Sequence, residues 1–183
     1  FPTNFDEINE LLPGPSQELN HILTHYLNTI SDVEQLLVPN ITIHKILDEV
    51  MIASPQSFTL IHPFQLCIEK LRSDNKNEVV LFGTRHTMRN GYISSTLENA
   101  NIKVHFPSEQ DIVNIDKLRL AIYNGNITNE STETLEVLIG QYANNFTVLL
   151  ACTELSMANK NQAENRLDLA QLQLDFIKKQ LKK

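Results

Sequence analysis

Cys152 is the residue in this chain best placed to do chemistry. It closes the run Thr147-Val148-Leu149-Leu150-Ala151 and is followed by Thr153 and Glu154. A short unbroken apolar run between polar residues reads as a strand buried on both faces, as in a parallel sheet. Ligands of open α/β folds bind just outside the carboxyl ends of such strands, which is where Cys152 stands. A helix starting directly after it would offer free backbone N–H groups, and that predicts a lowered thiol pKa and a reactive thiolate. Two other apolar runs also close in polar turns: Pro39-Asn40-Ile41-Thr42 in the first half, and Gly83-Thr84, with Thr87 beyond it, near the middle. Cys67 lies inside an apolar helical pattern and reads as packing.

These residues need a scaffold, and its elements can be read from hydrophobic spacing. Pro13, Gly14 and Pro15 punctuate the irregular start, and Ser16 is a good N-cap. Leu19, Ile22, Leu23, Tyr26, Leu27 and Ile30 form one helical face. Residues 33–39 read as a buried strand centred on Leu36, Leu37 and Val38. Ile43, Ile46, Leu47 and Val50 give a second helix, residues 58–62 a short strand, and residues 64–71 a helix. After a polar junction at 73–78, residues 79–82 form a buried strand, Thr87 and Met88 open a helix that reaches Tyr92, and residues 102–106 alternate like a strand nearer an edge. Ser108 and Asp111 make a capping-box-like start to a helix stopped at Gly125. Ser131 is the cap expected for the helix carrying Leu135, Leu138, Ile139 and Tyr142, and a last helix carries Leu169, Leu172, Phe176, Ile177 and Leu181. Alternation of helix and strand argues for an α/β fold with parallel sheets covered by helices, and the junction near residue 75 for two lobes.

Composition narrows the partners. Fifteen Lys and Arg against 22 Asp and Glu give a net charge of −7 over 183 residues. The one basic cluster, Lys178, Lys179, Lys182 and Lys183, suits the negative end of the final helix, so no nucleic acid is expected. No apolar run approaches a membrane span, so no membrane partner is expected either. Two cysteines make no disulfide framework, which favours a reducing, cytoplasmic compartment. Metal-ligand spacings, phosphate loops and dinucleotide fingerprints do not occur in the sequence.

Three motifs, taken together and in order, resemble the aspartate/glutamate racemase family. Gly83-Thr84-Arg85-His86-Thr87-Met88 is similar to its central Gly-Thr-Arg-x-Thr-Met segment. Cys152-Thr153-Glu154-Leu155 is similar to its second catalytic motif, and Thr42-x-His44-Lys45 to the end of its first. Phe5-Asp6-Glu7-Ile8, Leu60-Ile61-His62 and Leu167-Asp168 add weaker likeness, so that most of the chain is covered. The resemblance implies two pseudo-symmetric lobes: residues 1–74, completed by the C-terminal helix at 162–183, and residues 75–161. It implies transfer of the α-proton of a small acidic amino acid between thiols across the inter-lobe cleft, with neither pyridoxal phosphate nor metal, in a homodimer. Cys152 is then the catalytic thiol, and Asn40, Thr42, Thr84, Thr87, Thr153 and Glu154 are the expected substrate contacts.

The chain departs from the family pattern twice. Asn40 stands where the first-lobe cysteine is expected, followed by Ile41 instead of Asn, and a carboxamide is a poor acid and base. The family's first strand and Gly-rich loop find no counterpart before Phe1, which reads as a first lobe lacking its N-terminal strand, in a fragment or processed chain. One-sided catalysis by a single thiol, a catalytically degenerate binding or structural homologue, and a one-thiol decarboxylase are the readings these departures leave open.

Overall fold

The computed structural model describes residues 11–12, 17–160 and 165–182. Phe5 to Ile8, the Pro13-Gly14-Pro15 punctuation and the Ser16 cap lie outside the described residues. Helix α1 (Gln17–Thr29) is followed by β1 (Gln35–Leu36), α2 (His44–Ala53), β2 (Thr59–Leu60) and α3 (Pro63–Ser73). Next come β3 (Glu78–Phe82), α4 (Arg85–Arg89), α5 (Gly91–Glu98), β4 (Lys103–His105), α6 (Glu109–Tyr123) and α7 (Asn129–Ala143). The described chain closes with β5 (Thr147–Leu150), α8 (Thr153–Ala158), β6 (Arg166–Asp168) and α9 (Leu169–Gln180).

Among the described residues all strand pairs are parallel, and the strands form two sheets. One is the pair β1-β2; the other has the order β4-β3-β5-β6. The alternation of side chains along the long strands builds two layers on the larger sheet. Val79, Leu81, Leu149 and Ala151 face Phe64, Cys67, Ile68 and Leu71 of α3 and Ile93 and Leu97 of α5. Val80, Phe82, Val148 and Leu150 face Ile112, Ile115 and Ile122 of α6 and Leu135, Leu138 and Ile139 of α7. A third cluster, from Leu19, Leu23 and Leu27 to Ile46, Leu47, Val50 and Phe58, covers the small sheet. Cys67 is fully buried, and burial pushes its thiol up to about 12, as a packing cysteine requires.

Four local expectations are corrected. Residues 33–39 are not a buried strand: only Gln35 and Leu36 pair with β2, and Leu36, Leu37 and Val38 are half-buried. The helix opening near Thr87 ends at Arg89, because Asn90 begins a new helix by accepting from the backbone N–H of Tyr92. Thr128, not Ser131, caps α7; Ser131 is the third residue of the helix and completes a capping box with it. A strand also precedes the last helix: β6 extends the four-stranded sheet beside β5, and α9 then packs on α3. Gln173 of α9, fully buried, donates to Ile61 O at 2.7 Å and ties that helix to the end of β2.

Candidate active site

The order β4-β3-β5-β6 fixes where a cleft can open. From β3 the chain runs to β4 on one side and returns to β5 on the other, so the loops leaving β3 and β5 diverge at their carboxyl ends. Those loops are Gly83-Thr84 and Ala151-Cys152. They are held together at their roots, since Ala151 N donates to Phe82 O at 2.7 Å. A Cβ on Gly83 would lie 3.0 Å from Thr87 Cγ2 and 3.3 Å from Ala151 O, so this close approach needs glycine.

A cleft of about 380 Å³ lies above the divergence, within the usual range of small-molecule sites. It brings together six of the seven residues singled out from sequence: Asn40, Thr42, Thr84, Cys152, Thr153 and Glu154. Thr87, the seventh, is buried and lines a smaller adjoining cavity that shares Ile41, Thr42 and His86 with the main one. Its backbone N–H donates to Thr84 Oγ1 at 2.9 Å, and the two hydroxyls lie 2.8 Å apart, so Thr84 caps α4 while its side chain borders the cleft.

Cys152 is the residue before α8 and has extended backbone geometry. Its Sγ donates to Glu154 Oε2 at 2.7 Å, and Thr153 Oγ1 donates to the same oxygen at 3.3 Å. The expectation of a lowered thiol pKa is overturned. Burial, with the Glu154 charge and hydrogen bond added, pushes the Cys152 thiol well up, and the backbone N–H groups of Glu154 and Leu155 offset only part of this. The resting group is a thiol that donates its hydrogen bond to a carboxylate.

Across the cleft, Asn40 accepts from Thr42 N through Oδ1 at 3.1 Å, which makes an Asx turn at the end of the small sheet. Its carboxamide oxygen is thus committed to the backbone. Ile41, next to it, is buried among Phe64 and Cys67 and belongs to the core as well as to the cleft wall. His44, part of the first motif, is not in the cleft. It is fully buried, its Nε2 lies 2.8 Å from Val38 O, and its ring packs edge-on against His62.

Sequence reading missed the cationic wall. Arg85, His86, Asp116, Arg119 and Tyr123 also line the cleft. Asp116 Oδ1 accepts from Arg119 Nε at 3.0 Å and from Arg85 N at 3.2 Å, anchoring both arginines to α6. Asp116 and Arg119 are spaced i,i+3 on α6, a spacing that by itself does not set them apart from any helix ion pair. Only the fold shows that α6 passes along the mouth of the site. The guanidinium of Arg85 and the terminal nitrogens of Arg119 have no protein partner among the described residues, so they can meet an anion. Among the described residues no group of His, Cys, Asp and Glu is clustered so as to hold a metal ion.

Comparison with family models gives no match, and neither does comparison with curated proteins. Solved structures do match in fold. A candidate Asp/Glu racemase from Yersinia pestis superposes with a TM-score of 0.79 at 20% identity, covering 100% of this chain and 83% of that one. An aspartate racemase homologue from Pyrococcus horikoshii gives 0.79 at 20% identity, covering 100% and 82%. Picrophilus torridus aspartate racemase gives 0.67 at 24% identity, covering 97% and 74%. The chain therefore has the Asp/Glu racemase fold, as its motifs led one to expect.

Proposed function

We propose that this protein is a racemase-like isomerase that moves the α-proton of a small acidic amino acid, aspartate or glutamate, with Cys152 as its single thiol. The observation that carries the reading is the cleft itself, whose lining combines a thiol paired with a carboxylate, two arginines, Thr42 and Thr84. The shared fold of structures named as aspartate racemases supports it.

The chemistry runs from the hydrogen bond. Glu154 takes the Sγ proton, the thiolate removes the proton from Cα, and the carbanion's charge passes onto the substrate α-carboxylate. Donors at the Thr42 and Thr84 turns stabilise that charge, and Arg85 and Arg119 hold the side-chain carboxylate. The thiol then returns a proton, drawn from solvent through Glu154, to the same face. Asn40 offers no competent acid on the other face, so exchange outpaces inversion. Proton NMR of L-Asp, D-Asp, L-Glu and D-Glu in D₂O tests this. Loss of the Cα–H signal with one enantiomer, abolished in Cys152→Ser, is the expected result; no exchange with any of the four overturns it.

Two observations favour a second reading, a binding homologue without turnover. The Asn40 oxygen is spent on its own turn, and the Cys152 thiol is held protonated. In that case dicarboxylates raise the melting temperature while their Cα–H signals persist.

A further inference from the structure

The geometry points to His86 as a neutral hydrogen-bond donor through Nδ1, with Asn90 fixing that tautomer, and to this N–H as the electrophile that stabilises charge on the substrate carboxylate. The inference rests on the proton-transfer reading above and adds to it a group that the motif comparison leaves unassigned.

The tautomer follows from a chain of two hydrogen bonds. Asn90 is the N-cap of α5, and its Oδ1 accepts from Tyr92 N at 3.1 Å. That bond identifies the oxygen, so the amide nitrogen Nδ2 is the atom 3.0 Å from His86 Nε2. An amide nitrogen only donates, so Nε2 must present its lone pair, and the ring proton of neutral His86 lies on Nδ1. An imidazolium would set N–H against N–H. Nδ1 has no protein partner among the described residues, while His86 lines both the main cleft and the adjoining cavity beside Ile41 and Thr42. The Nδ1–H is thus left for the cleft's occupant.

The surroundings also favour the neutral ring. Partial burial, and then the charge of Lys45 on α2, hold its pKa below 6.5. Lys45 is itself 3.9 Å from Glu49. Arg85 and Arg89 share the helix of His86. Asp116 and Arg119 reach the same cleft from α6, and Cys152 and Glu154 from the turn after β5. A neutral N–H adds little to binding of the ground-state carboxylate and more as the carbanion's charge moves onto it, which is the difference that catalysis uses.

The test uses ¹⁵N NMR of the histidine rings of the intact protein, with His86→Asn to assign the signal, alongside Cα–H exchange of aspartate in D₂O. The wild-type ring should be the Nδ1–H tautomer and should titrate below 6.5. Asn90→Asp keeps a helix cap but accepts from Nε2–H. It should reverse the tautomer, raise the pKa, and slow exchange about tenfold at a pH of about 7.5. His86→Asn, whose amide can take the place of Nδ1–H, should retain more exchange than His86→Leu. A wild-type Nε2–H tautomer overturns the inference whatever the exchange data show, as does a His86→Leu enzyme that exchanges as fast as wild type. Absence of exchange in wild type overturns instead the reading on which the inference rests, and the ring spectra report independently of it.

Discussion

Cys152 Sγ and Glu154 Oε2 lie 2.7 Å apart at the start of α8, so the first acid of that helix accepts the thiol's hydrogen bond. Glu154→Gln removes the charge that favours the protonated thiol and leaves only a neutral, weaker acceptor. The midpoint for alkylation of Cys152 by iodoacetamide should move to lower pH, with burial keeping it above that of a free thiol. An unmoved or higher midpoint would show that Glu154 does not govern the thiol.

On the proton-transfer reading, a second proton carrier would stand at Asn40. Asn40→Cys should raise the ratio of inversion to exchange for aspartate in D₂O at least tenfold over wild type. Loss of the Asx turn to Thr42 N costs about 1 kcal/mol, which a melting curve can verify. A ratio unchanged in folded Asn40→Cys would mean that position 40 does not face the reacting carbon.

Asp116 holds the Nε of Arg119 and leaves its terminal nitrogens without a partner among the described residues. Aspartate should therefore raise the melting temperature of the wild type more than asparagine does. In Arg119→Gln the margin between the two ligands should narrow, with Arg85 left to hold the carboxylate. Equal stabilisation by both ligands in the wild type would remove Arg119 from side-chain recognition.

His44 sets a pH limit on stability. Burial, partly offset by the hydrogen bond with Val38 O, lowers its pKa from 6.5 to about 4. Between those values the unfolded chain binds the extra proton, so stability is full above 6.5 and falls as pH drops toward 4. The loss should reach about 2 kcal/mol at a pH of about 5. Urea unfolding at neutral pH and at that lower pH measures it, and His44→Gln should flatten the difference.

Gly83→Ala forces its new methyl against Thr87 and the Ala151 carbonyl. A cost of about 1–3 kcal/mol is expected. Thr87→Ser deletes the methyl that makes the closest contact and keeps the hydroxyl, so it should recover part of that cost. Thermal unfolding of the single and double variants gives the coupling.

The parts of the fold visible in the sequence were those where burial and apolarity coincide. Val79 to Phe82 and Val148 to Leu150 are buried on both faces and have no polar side chain to disguise them. β6 escaped because its strand is Arg166-Leu167-Asp168. Arg166 is buried against Glu136 through bonds of 2.8 and 2.7 Å, and Asp168 accepts from Ser156 and Asn159. Charge paired out of solvent looks, in sequence, like a loop. β1 was overread for the opposite reason, since apolar Leu36 to Val38 never become fully buried. At the site, Cys152, Thr84 and Asn40 announced themselves by ending apolar runs. Arg119 and His86 lie on helices at positions that spacing alone assigns to the surface.

Thr84 and Cys152 rise from adjacent strands of one sheet, joined at the root by the Ala151–Phe82 bond, whereas Asn40 and Thr42 lie in the turn between the small sheet's β1 and α2. The two walls of the cleft therefore come from different segments, linked through Ile41, which packs into the core beneath the larger sheet. Drift in the small sheet can reshape what the cleft accepts without moving the thiol from its carboxylate. On the proton-transfer reading, such an arrangement can hold a poor acid at Asn40 and keep the Cys152–Glu154 pair intact.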